Sequence, residues 1–124
     1  MPDRTEHLSK YRHNKEFLKC PVFEETKYLD WAVVVVFYSA LHLIEAFFAG
    51  NGLHFQKHKE RAQWVSSDSR LKNTDIPKYY HFLYNQSIRA RYEYVQMNGS
   101  DLQAAIDALT IIEGILNPQL GLTT

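Results

Sequence analysis

Three stretches of this chain bring together side chains able to bind ligands or move protons. The first is Tyr38, His42 and Glu45 within the apolar run WAVVVVFYSALHLIEAFFA. Spacings of three and four residues put them on one stripe of a helix. An imidazole beside a carboxylate in apolar surroundings forms either a tuned acid–base pair or a satisfied polar network that fixes how helices pack. The second is His54, His58 and Arg61 in HFQKHKER. Two histidines four apart on a helix have zinc-ligand spacing, but the Glu that follows the first histidine in metalloproteases is absent, and Lys57 and Lys59 repel a cation. A basic helix end presenting His58 and Arg61 to a phosphate is the functional reading, and an ordinary solvated face the structural one. No metal and no cofactor is expected. The third is SIRARYEY. Arg89 and Arg91, two residues apart, point about 160° away from each other on a helix and cannot share one task. Arg91 continues the Tyr84–Ser87 stripe, which predicts partial burial and a partner, with Glu45 the best internal candidate. His58 and Arg91 are the candidate catalytic groups; Arg61, Arg89, His42, Glu45 and Tyr38 are the candidate binding groups. Tyr79, Tyr80, Tyr84, Tyr92 and Tyr94 read as packing residues with wet hydroxyls or as platforms for stacked bases.

Composition limits what such groups can belong to. The 124 residues suit one domain spanning 1–124, and 45% hydrophobic with 14% aromatic residues is the make-up of a globular chain. Lys+Arg 14 balances Asp+Glu 14, which argues against nucleic-acid binding through bulk charge, leaves room for a local basic patch, and tolerates self-association. Cys20, the single cysteine, has no internal partner for a disulfide and suits a reducing cytoplasm. Met1 to Arg12 is charged and without an apolar core, so no secretory leader is expected. Glycine-rich phosphate loops, G-x-S-x-G elbows and Cys-x-x-Cys pairs are missing, which removes those enzyme classes.

The elements that would position these residues are helices. Residues 3–19 read as a polar helix with Leu8, Tyr11, Lys15 and Leu18 along one side, broken by Pro21. A second helix is expected from an N-cap near Thr26 to Ala49, closed by Gly50-Asn51-Gly52. Its length matches a membrane span, yet Ser39, His42 and Glu45 oppose insertion, and a helix apolar nearly all round is the expected centre of a bundle; no membrane association is expected. A short helix over 56–65, a polar and mobile loop over 66–75, and a helix opening at Ile76-Pro77 follow. That helix carries Tyr80, Leu83, Tyr84, Ser87, Ile88, Arg91 and Val95 on one face and stops by Asn98-Gly99. A capping box at Ser100 and Gln103 is expected to open the last helix, with core residues Leu102, Ile106, Leu109, Ile112 and Leu116 and a stop at Asn117-Pro118. The fold class is therefore all-α, a four- to five-helix up-and-down bundle.

The run DWAVVVVFYSALHLIEAFF, the glycine turn with HKER, and YYHFLYNQSIRARYEY together resemble the HEPN superfamily (higher eukaryotes and prokaryotes nucleotide-binding domains) across residues 30 to 94. The resemblance implies a compact helical bundle, commonly a homodimer, often a component of a toxin–antitoxin or defence system. Many such proteins cut RNA without a metal, through an Arg-x4-6-His motif whose copies meet across the dimer. There the arginine stabilises phosphate charge while the histidine moves a proton. Here Arg89-x4 leads to Tyr94 and no arginine reaches a histidine at that spacing, so RNase activity is either lost or supplied with an imidazole by His58 or His42 from another helix. Two functions follow: an RNA- or nucleotide-binding module, and a non-catalytic dimerisation or partner-protein module.

Overall fold

A computed structural model of the chain describes residues 3–19, 28–93 and 96–122. The interruption expected at Pro21, the cap at Thr26, and Cys20, Tyr94 and Val95 lie outside the described residues. Among the described residues the fold is an all-helical bundle of α1 (Arg4–Leu18), α2 (Leu29–Ala49), α3 (His58–Ser67), α4 (Ile76–Tyr92) and α5 (Gly99–Gln119).

The centre is α2, which packs against α1, α4 and α5. Ala32, Val33, Val36, Ala40, Leu43 and Ile44 have essentially no exposed surface, as expected for a helix whose apolar side chains extend around most of its circumference. It is long and apolar enough to cross a membrane by length and composition, and 72% of its most apolar window is buried by the rest of the fold. Its end turns through Gly52 at φ +75, a conformation glycine adopts without steric cost. Gly50 meets a different demand. A Cβ there would collide with the guanidinium of Arg4, which crosses from α1 to donate from Nε to the Ala46 carbonyl at 3.2 Å.

Helix starts follow local chemistry. The Asp3 carboxylate accepts from the Glu6 N–H at 2.9 Å and caps α1. Pro77 sits in the first turn of α4, where its missing N–H costs nothing. At α5 the capping box is Asn98 with Asp101, each side chain accepting the other's backbone N–H, rather than Ser100 with Gln103. Asn98 stands two residues earlier and is as strong a cap as serine, so the helix nucleates there. It also runs to Gln119 with Pro118 in its last turn, two residues past the expected stop.

The third helix is shifted from the expected 56–65 to 58–67. The polar stretch after it, expected to be mobile, folds into tight turns: the Asp68 carbonyl accepts from the N–H groups of Leu71 and Lys72, and the Asp68 carboxylate takes the Arg70 guanidinium at 3.1 and 3.0 Å. This delivers Leu71 to full burial, worth about 1.5–3 kcal/mol for a side chain of its size. Its polarity was legible; the single apolar anchor decided its structure.

Candidate functional site

The candidate residues meet along α2, though not in the pairs that spacing suggests. Glu45, 3% exposed, receives Arg61 Nε of α3 on Oε1 at 2.5 Å. Arg61 is itself buried, and its Nη1 donates to the Tyr80 hydroxyl of α4 at 3.4 Å. The Tyr80 hydroxyl lies 3.1 Å from His58 Nδ1. Either of the two can donate to the other, and in both cases the contact fixes the plane of the imidazole and leaves its Nε2 edge free of this bond. A buried carboxylate thus sets the orientation of a half-buried histidine two residues away along a hydrogen-bonded chain. Burial pushes the Tyr80 pKa above the ordinary phenol value, with Arg61 working against it, so the hydroxyl remains a donor at neutral pH. His58 also lies face to face on Tyr84, ring centroids 3.4 Å apart and 6° from parallel. Burial, then the charge of Arg61 and the neighbouring His81, lower its pKa, so His58 is a neutral imidazole at pH 7.

Glu45 reaches α1 as well. His7 Nε2 lies 4.0 Å from Glu45 Oε2, and His7 Nδ1 lies 3.0 Å from His42 Nδ1. Two neutral imidazoles share such a contact when one donates and the other accepts. The carboxylate selects the arrangement: a proton on His7 Nε2 faces Glu45, and His7 Nδ1 accepts from His42 Nδ1–H. Burial lowers the His7 pKa, with Glu45 opposing and His54 adding to it. Burial, then His7, Lys10 and Arg61, take His42 down to about 4.

Arg91 does not pair with Glu45. Its Nη1 donates to the Tyr38 hydroxyl at 3.2 Å, and its Nε and Nη2 reach the Ser87 carbonyl and hydroxyl at 3.3 and 3.4 Å. Arg61 starts on α3, directly beside Glu45, whereas Arg91 lies near the end of α4, opposite the earlier part of α2 that carries Tyr38. Tyr38, His42 and Glu45 therefore turn to α4, α1 and α3 respectively. Arg89 diverges from Arg91 as its spacing requires, bonding Gln86 at 2.9 Å and approaching Glu93 at 3.8 Å. His54 and His58 also part company. His54 lies toward His7, with a buried Nδ1 that has no hydrogen-bond partner among the described residues. Among the described residues no three His, Cys, Asp or Glu side chains converge as metal ligands.

Two members of this network escaped the sequence reading. His7 was legible in principle, because it stands one helical turn before Tyr11 on the apolar side of α1. Helical spacing makes Tyr80 a packing residue or a stacking platform, and only the arrival of Arg61 and His58 from another helix makes its hydroxyl a link. Comparison of the chain with protein-family models, with curated proteins and with solved structures returned no match.

Proposed function

We propose that this chain is an RNA- or nucleotide-binding module of HEPN-like architecture that holds its ligand without cutting it. The observation that carries the reading is the half-buried His58, stacked on Tyr84 and held by the chain Glu45–Arg61–Tyr80. Such an imidazole offers a fixed Nε2 edge to a phosphate or base and loses little freedom on binding. Tyr84 and Arg91 are seven residues apart on α4, about 10 Å along its axis, so an aromatic face and a cation lie along one stripe. Cleavage is not part of the proposal, because no histidine follows Arg91 at the required spacing.

A second reading, a non-catalytic dimerisation or partner-protein module within a toxin–antitoxin or defence system, is favoured by the internal neutralisation of Arg61 by Glu45. Fluorescence anisotropy with labelled single-stranded and structured RNA in EDTA separates the two. The binding reading expects His58→Ala and Arg91→Ala each to weaken binding about tenfold, the loss of one charge-assisted or oriented contact. Wild-type protein that ignores both RNAs and mononucleotides, yet self-associates in sedimentation, sinks it in favour of the second. Metal-independent cleavage abolished by His58→Ala would make the protein an RNase instead.

A further inference from the structure

The groove between α1 and α5 stands apart from the polar chain on α2, α3 and α4, and one of its lining residues carries a buried acceptor that no described residue answers. Its volume is about 690 Å³, within the range of small-molecule sites. On its inner wall the Tyr11 hydroxyl donates to the Glu113 carboxylate, and Lys15 Nζ lies 2.9 Å from the same carboxylate. Burial and Glu113 hold the Tyr11 pKa well above the ordinary phenol value, so the hydroxyl keeps its proton. Asn117, 3% exposed, lies beside that hydroxyl and works against the rise in its pKa, and its Oδ1 is buried without a hydrogen-bond partner among the described residues. Buried acceptors are almost always paired, and Asn117 is one of the residues lining the groove.

The remaining features point the same way. Arg12, Lys15, Glu16 and Lys19 fall on one stripe of α1 by their spacing, three cations against one carboxylate. Lys15 is engaged with Glu113, while neither Arg12 nor Lys19 forms an ion pair with a described residue. Gly114 sits inside α5, where glycine weakens a helix. A Cβ at that position would meet nothing within 4 Å, so packing does not require the glycine; its missing side chain keeps the groove open.

We propose that this groove binds a small anionic molecule, its phosphate or carboxylate on the Arg12 and Lys19 side and an N–H or O–H donor at its other end against Asn117 Oδ1. The site is independent of the RNA-binding face. Isothermal titration of the full chain tests it with ribose 5-phosphate, AMP and N-acetylglutamine against inorganic phosphate and acetate. At least one donor-bearing anion binds tenfold or more tightly than its bare acid, and the phosphate and carboxylate arms identify the acid. Reversing the rim charges with Arg12→Glu and Lys19→Glu weakens that binding at least tenfold. Gly114→Leu, which places a side chain in open space, abolishes it with a thermal midpoint equal to or above wild type. A panel in which no compound exceeds the bare anions overturns the proposal, as does binding that survives Gly114→Leu. RNA binding unchanged in Gly114→Leu, and groove binding unchanged in Arg91→Ala, keep the failure of either site distinct from the failure of the other.

Discussion

The polar chain on α2, α3 and α4 and the groove between α1 and α5 each join a carboxylate, a cation and a tyrosine, and they differ in how the remaining buried polar group is treated. Along α2 the inner groups are answered from within: Glu45 by Arg61, Arg61 by Tyr80, Tyr80 by His58. In the groove Glu113 is answered by Tyr11 and Lys15, but Asn117 Oδ1 is left over among the described residues and α5 carries a glycine where a Cβ would meet open space. Closed networks fix the geometry of a fold, because removing one member strands the next. An open one costs stability and leaves capacity for a ligand. The difference separates residues that position from residues that remain available.

The sharpest way to break the comparison is Arg61→Ala, which strands a 3%-exposed carboxylate. Removing one partner of a buried ion pair costs about 3–5 kcal/mol, read as a lowered urea midpoint; an unchanged midpoint would show the network to be looser than its distances. Acid tests the same network from the histidine side. The folded-state pKa values of His7, His42 and His58 are all lowered, His42 to about 4. Their unfolded counterparts take up protons near pH 6.5, so as pH falls below that value the unfolded chain binds more protons and stability declines. Full stability is present above about pH 6.5 and is lost toward pH 4, with His42 contributing about 1–2 kcal/mol after discount for its contact with solvent. Urea titrations from pH 7.5 to 4.5 measure this, and His42→Gln flattens the profile.

The groove responds in the other direction. Gly114→Ala stabilises by about 0.5–1 kcal/mol through helix propensity alone, a small rise in thermal midpoint seen by calorimetry. A fall would mean that the open space at Gly114 is not tolerant of a side chain. Smallest of all is Arg89→Ala. Its side chain bonds only within α4 and to Glu93 at the helix end, so stability changes by less than about 0.5 kcal/mol, and RNA anisotropy discriminates it from Arg91→Ala.

Reading the chain without coordinates reaches as far as periodicity and punctuation reach. The apolar circumference of α2, the glycine turn at Gly52, the first turn at Pro77 and the Leu109, Ile112 and Leu116 part of the α5 core follow from side-chain type and helical spacing, which are local properties. So does the divergence of Arg89 from Arg91, since the helix repeat alone separates them. Leu102 and Ile106 stay partly exposed while Ala105 and Ala108 take the buried positions. Partnerships between helices do not follow. Glu45 could be satisfied by any buried cation, and spacing within α4 favoured Arg91; the approach of α3 supplied Arg61 instead. Leu71, Asn117 and Gly114 acquire their roles only from what surrounds them: a core to anchor in, a hydroxyl to face, an empty space to border. Local chemistry determined which residues turn inward on each helix, because a helix repeats every 3.6 residues whatever lies beside it. Only the packing of helices distant in the chain decided which inward polar groups meet, since that depends on how whole surfaces fit together.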